Sequence, residues 1–269
     1  MKKLIVLTFA TLSLYSLQGQ DAKGHFNNGL TKIESADYNG AIADFDKAIQ
    51  LEPNDAEAYT NRAFAKAMLE DYIGAMTDYN RGIELDPNDA DAYTNRAVAK
   101  TRLREYKGAI DDYTKAIQLD PKNAKAYADR GNDKHELSDR AGAIADYDKA
   151  IELDPKNAAT YINRGAAKNE LGDHKAAMAD YNKGIELDPN DVDPYLNRAL
   201  TKAILADHRG AIADYDKVIE LDAKNASGYY QRGISKIELG DKGAGCIDLS
   251  KAGELGLVKS YDAIKKYCK

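Results

Sequence analysis

The sequence has no tryptophan, four phenylalanines, two cysteines and six prolines in 269 residues. Two cysteines are too few for a disulfide-built scaffold or a four-thiolate metal site, so packing must hold the chain. Lysine and arginine (38) fall short of aspartate and glutamate (44), a formal charge of -6. That balance excludes a nucleic-acid partner, which needs clustered cations to displace counterions from phosphates. Glycine-rich phosphate loops and nucleophile elbows are also missing. No catalytic residue is assigned and no cofactor is expected. Against these absences stand 18 tyrosines, which suit half-buried rings that keep a wet hydroxyl at helix interfaces.

Long hydrophobic runs are confined to the start. Met1-Lys2-Lys3 precedes an apolar stretch from Leu4 to Leu17, then Gln18-Gly19-Gln20. This is the grammar of a signal peptide, residues 1–19, with cleavage expected after Gly19. The run falls short of the about 20 apolar residues that span a bilayer, so no membrane insertion of the mature chain is expected. Losing Lys2 and Lys3 shifts the charge from -6 to -8. The expected location is periplasmic or secreted, in a bacterium.

The rest is periodic. Pro53, Pro87, Pro121, Pro155 and Pro189 stand 34 residues apart, with Ala223 in the sixth place. With this residue numbered 32, the units run 22–55, 56–89, 90–123, 124–157, 158–191, 192–225 and 226–259, leaving a tail, 260–269. Tyrosine holds position 4 from Tyr59 to Tyr229, and alanine or glycine follows at 8 (Ala63, Gly165, Gly233). Spacing of four puts both on one helix face. A second set has alanine at 20, a ring at 24 (Phe45, Tyr79, Tyr215) and a small residue at 27 in most units. Turns such as Leu171-Gly172-Asp173 separate the two sets, with Gly for a left-handed backbone and Asp for a cap. Each unit therefore reads as two antiparallel helices. The fold class is all-α: an α-solenoid of seven helix-turn-helix units and a C-terminal capping helix in 260–269.

An aromatic at 4, small residues at 8, 20 and 27, a ring at 24 and Pro at 32 in a 34-residue period resembles the tetratricopeptide repeat. The resemblance implies a right-handed superhelix and a non-catalytic scaffold for protein-protein interaction. The sequence departs from the family at position 7, where Arg replaces Leu in six units, and at 11, where Lys replaces Tyr in all seven. His25 stands at position 4 of the first unit. The family's clamp for chaperone C-termini needs Lys at 5 and Asn at 9; position 5 is Thr60, Thr94, Ala128, Ile162, Leu196 and Tyr230, so no clamp is present.

Lys at 11 lies about 20° from position 4 on the helical wheel, on the packing stripe, with Arg at 7 flanking it. The second helix carries Asp at 23 (Asp44, Asp78, Asp146, Asp180). Charge held against a packed face is costly unless paired, so these residues predict ion-pair ladders between helices. Catalysis is disfavoured, because the groups recur with the architecture rather than once.

Position 6 lies about 200° from positions 4 and 8 and points away from that stripe. Its residues are Asn27, Asn61, Asn95, Asp129, Asn163, Asn197 and Gln231. An amide both donates and accepts, and in the resembling family this face lines the concave groove, where asparagine ladders hold the backbone of extended peptides. The plainer alternative is a solvated face copied by duplication. Amides net roughly 0.5–1.5 kcal/mol each, so apolar anchors are needed too. Phe64 and Val98 offer them early; Leu196, Leu200, Ile204, Tyr230, Ile234 and Ile237 form a late cluster, unless the last helices cover it. The leading expectation is binding of an extended peptide or partner helix along this face. The second is a structural, self-associating envelope component, and a homo-oligomer is compatible with both.

Cys246 and Cys268 fall at similar distances from an intervening turn, so antiparallel helices would bring them level for a disulfide; two free buried thiols are the alternative. His174 and His208 share position 17 of adjacent units, about 10 Å apart in stacked pairs, too far to share an ion. No metal site is expected.

Overall fold

The structure, a computed structural model, describes residues 21–269; the expected signal peptide, 1–19, lies outside the described residues. The chain divides between Leu137 and Ser138 into two compact units. The first contains α1 (21–34), α2 (Tyr38–Leu51), α3 (Ala56–Met68), α4 (Tyr72–Leu85), α5 (Ala90–Arg102), α6 (Tyr106–Leu119) and α7 (Ala124–Glu136). The second contains α8 (Arg140–Leu153), α9 (Ala158–Glu170), α10 (His174–Leu187), α11 (Val192–Ile204), α12 (His208–Leu221), α13 (Ala226–Glu238), α14 (Lys242–Glu254) and α15 (Lys259–Tyr267). Within each unit, consecutive helices pack on one another, and α3 also touches α5, α5 touches α7, α9 touches α11 and α11 touches α13. The fold is an all-α repeat solenoid.

The ends of the helices follow from local chemistry. Asp55, Asp89, Asn123, Asn157 and Asn225 each accept a hydrogen bond from the backbone N–H three residues on. Asp37, Asp71, Asp139, Asp173, Asp207 and Asp241 do the same for α2, α4, α8, α10, α12 and α14. Such caps satisfy donors that the first turn leaves free. Glu105, before α6, makes no cap bond. The residue before this cap has positive φ in every repeat: Gly172 and Gly240 at 84° and 89°, but also Ala36, Glu70, Arg104, Ser138 and Ala206 at 60–65°. The left-handed turn therefore belongs to the architecture, and five repeats form it without glycine.

Burial corrects two sequence expectations. The helical wheel puts the packing stripe on positions 4, 8 and 11; the deepest residues of the first helix are those at 3, 8 and 10, as in Ala58, Ala63 and Ala65. Tyr at 4 is instead half-buried in most repeats, and Lys at 11 runs along the stripe's edge. A large ring cannot enter where helices meet most closely, whereas alanine can. The tyrosines at 24 are not half-wet: Tyr79, Tyr113, Tyr181 and Tyr215 are each at most 1% exposed. Burial pushes the Tyr181 hydroxyl up to about 12, and the Tyr215 hydroxyl has no hydrogen-bond partner. The small residue at 8 admits these rings; a Cβ on Gly165 would lie 2.7 Å from Tyr181 Cε1.

Candidate partner-binding faces

Most charged residues near the core are committed to packing. Arg164 presents Nε and Nη2 to the two oxygens of Asp180 at 3.0 and 2.5 Å, and Lys168 Nζ reaches Asp180 Oδ2 at 2.8 Å. The same node recurs as Arg62–Asp78–Lys66, Arg96–Asp112–Lys100, Arg198–Asp214–Lys202 and Arg232–Asp248–Lys236. Each of these aspartates is buried. The third guanidinium nitrogen reaches back one repeat: Arg62 to Asp46, Arg96 to Asn80, Arg130 to Thr114, Arg164 to Asp148, Arg198 to Asn182 and Arg232 to Asp216, at 2.5–3.0 Å. Every guanidinium also lies over its repeat's position-4 tyrosine, as Arg164 does over Tyr161 at 5.5 Å. One planar cation thus joins three helices, which a lysine could not do. Burial would lower the Arg62 guanidinium, yet its bonds to Asp78 and Asp46 outweigh that and hold it above its ordinary value.

The first repeat has Asn28 where the arginine belongs. His25 takes over: its Nδ1 lies 3.1 Å from Asp44 Oδ1, while Lys32 Nζ holds Oδ2 at 2.5 Å. These bonds, Lys32's first, hold the Asp44 carboxyl below its ordinary range.

The position-6 face is only partly covered. In the first compact unit, Asn61 and Asn95 line an open hollow of about 730 Å³ with Thr60, Phe64 and Asp91. Asn27 borders a second, of about 820 Å³, beside Phe26, Asp55 and Glu57. Asn61 Nδ2 donates to Glu57 O at 2.8 Å, which orients the amide with its oxygen free to accept. Asp129, the acidic departure, has its pKa raised by burial. Phe64 belongs to the Asn61 hollow, whereas Val98 packs against the core around Tyr113. The reading from sequence missed position 2: Glu57 and Asp91 sit four residues before Asn61 and Asn95 and rim the same hollow. The helical spacing of four was the available signal.

In the second unit, Asn163, Asn197 and Gln231 are again half-buried. The late apolar cluster divides. Leu196 packs against Ala199, Ala211 and Tyr215, and Ile237 Cγ1 abuts Gly245. Leu200 is half-buried and Ile204 is 62% exposed. Tyr230, Gln231 and Ile234 line an open pocket of about 600 Å³ against α15. Cys246 and Cys268 form a disulfide, Cα atoms 5.8 Å apart, that ties α15 to α14. His174 Nδ1 lies 2.7 Å from Asn169 Oδ1. No described helix is long and apolar enough to cross a membrane.

Models of the tetratricopeptide repeat match residues 90–123, 158–191 and 192–225, and a further TPR repeat model matches 29–70, 69–104 and 131–172. The chain belongs to the tetratricopeptide repeat family. No curated protein matches it in sequence. Among solved structures, a tetratricopeptide repeat protein from Parabacteroides merdae is similar, with 23% identity and a TM-score of 0.67 over 93% of this chain and 98% of that one. The C-terminal part of a TPR repeat-containing protein from Cytophaga hutchinsonii has 20% identity and a TM-score of 0.73, covering 88% and 98%. YrrB, described as a TPR protein with an unusual peptide-binding site, has 24% identity and a TM-score of 0.61, covering 68% and 95%. At these identities the likeness establishes the fold. Like its family, this repeat protein is built as a scaffold for protein interaction.

Proposed function

We propose that this tetratricopeptide repeat protein holds an extended peptide, or one face of a partner helix, along the position-6 face, in the bacterial envelope or outside the cell. The observation that carries the reading is the hollow in which Asn61 and Asn95 stand beside Phe64. Amides there can pair with a peptide backbone, and the ring supplies the apolar burial that amides alone lack. The Arg, Lys and Asp ladders are committed to one another, whereas the position-6 amides of this hollow are open to a partner. YrrB's peptide-binding site, on the same fold, supports the reading by analogy. Export is supported by the sequence of residues 1–19 and by the Cys246–Cys268 disulfide, since such bonds persist in oxidising compartments.

The test is to pan a random peptide library against the full chain and titrate the enriched peptides calorimetrically on the Asn61→Ala/Asn95→Ala variant. Affinity should fall about tenfold with the helical circular dichroism intact. Equal affinity, or a library that yields no binder, overturns the groove.

A further inference from the structure

The last helix differs from the others in how its cations are held. Residues 259–269 carry four lysines, Lys259, Lys265, Lys266 and Lys269, against one carboxylate side chain, Asp262, in a chain of net charge -6. Within the repeats, position-11 lysines such as Lys168, Lys202 and Lys236 each sit on a buried aspartate, and surface lysines such as Lys183 and Lys217 sit on a glutamate three residues on. Lys259 and Lys266 instead lie over aromatic faces, Lys259 Nζ 4.4 Å from the centre of the Tyr230 ring and Lys266 Nζ 4.6 Å from that of Tyr267. A ring attracts an ammonium through its quadrupole but carries no net charge; Lys266 also bonds the Tyr267 hydroxyl and feels Glu238 more weakly, and both cations keep the capacity to pair with a further anion.

Both also face one hollow. Lys259, Asp262 and Lys266 of α15 stand across from Tyr230, Gln231 and Ile234 of α13 around the pocket of about 600 Å³, a size at which binding clefts are common. Its α15 wall is fixed. Ser260 and Ala263 are buried, Tyr261 packs on Gly253, and the Cys246–Cys268 disulfide pins the far end of the helix. Gln231 is the position-6 residue of its repeat, so within the second unit the pocket presents the same position-6 chemistry as the peptide reading uses.

We propose that this pocket receives an acidic residue of a peptide held on the position-6 face of the second unit, whose carboxylate lies between Lys259 and Lys266 while its neighbouring backbone meets Gln231 and an apolar side chain meets Ile234 and Tyr230. The proposal rests on the groove reading above and adds the chemistry of the occupant. A nucleic acid is not the occupant, because the pocket is a local pair of cations and phosphate chains need a continuous basic track.

The experiment uses the full chain and two amidated peptide libraries, one with an Asp-Glu cassette and one with Asn-Gln in its place, each within otherwise random sequence. The wild-type chain should enrich the acidic library, and the selected peptides should bind Lys259→Gln/Lys266→Gln about tenfold more weakly. The Lys265→Gln/Lys269→Gln variant removes the same charge and should bind as wild type does. Raising salt from 50 to 500 mM should weaken the wild-type complex more than that of the Lys259→Gln/Lys266→Gln variant, since surface ion pairs are screened. Neutral peptides that bind with no acidic preference, or equal losses in both variants, overturn the acidic pocket and leave the groove standing. Failure of both libraries overturns the two together.

Discussion

Arg164 holds both carboxylate oxygens of Asp180, at 3.0 and 2.5 Å, and the same guanidinium reaches Asp148 of the preceding repeat at 2.6 Å. Asp180 is 5% exposed whereas the Asp148 side chain is 55% exposed, so the two bonds differ in worth. Asp180→Ala removes the buried partner of the half-buried Arg164 and Lys168 and should cost about 3 kcal/mol, the lower end for a broken buried pair. Asp148→Ala breaks a solvated contact and should cost about 0–1 kcal/mol. Urea unfolding of the two variants checks the ratio; equal losses would refute the division into buried node and surface tie. Replacing Arg164, Lys168 and Asp180 together by apolar residues of similar volume should cost less than Asp180→Ala alone, because no charge is then left unpaired.

The turn before α6 is the weakest built of the set. Arg104 takes φ of 61° and Glu105 makes no cap bond. Arg104→Gly relieves a left-handed residue and should stabilise by about 1 kcal/mol. Glu105→Asp supplies the cap found in the other repeats, for about another 1 kcal/mol. Thermal unfolding of each single variant measures both, and a lower melting temperature in either would contradict the local assignment.

Asp133 carries a pH dependence of unusual sign. It occupies position 10, where Ala65, Ala99 and Ala167 stand in other repeats, and is 1% exposed, with Thr101 Oγ1 donating to Oδ2 at 2.7 Å and Oδ1 without a partner. Burial pushes its carboxyl up from 3.8 to about 6. A folded-state pKa raised above the unfolded one means the folded chain binds the extra proton, so the contribution is most favourable below about pH 4 and is lost as pH rises through 6. Asp133→Ala should therefore stabilise at pH 7.5, by up to about 3 kcal/mol less the lost Thr101 bond, and by little at pH 4. Urea midpoints at the two pH values test this; a gain independent of pH would show that charge is not the cause.

Asp44 has the opposite sign. Lys32 first, and then His25, hold its carboxyl below the ordinary range, so its stabilisation is present above the unfolded value near 4 and is lost as pH falls through the depressed one. Lys32→Met should make α1 and α2 open at higher pH during acid titration. Amide exchange across residues 21–51 reads this directly, and an unchanged acid limb would refute it.

Reduction of the Cys246–Cys268 bridge opens a link across 22 residues, worth about 3 kcal/mol to the terminal helices in a chain-entropy account. Amides of α15 should then exchange faster, while α9 to α12 keep their protection. No change on reduction would mean that packing of Ser260 and Ala263 alone holds the cap.

The sequence by itself determined the period, the two helices per repeat, their caps and the family, because the 34-residue recurrence of rings, small residues and Asp or Asn caps is a property of local chain geometry. It also placed Asn61, Asn95 and Gln231 on the equivalent face of their own helices, since helical spacing needs no neighbours. Tertiary structure decided which neighbour each face meets. Position 10 rather than 11 turned out deepest, Leu196 went to packing while Ile204 stayed exposed, and the arginine ladder proved to span two repeats. The pocket under Lys259 and Lys266 likewise exists only because α15 docks on the last repeat. A helical wheel gives direction around one axis; contact depends on the distance and tilt of the next helix, and these are set by all the side chains between them.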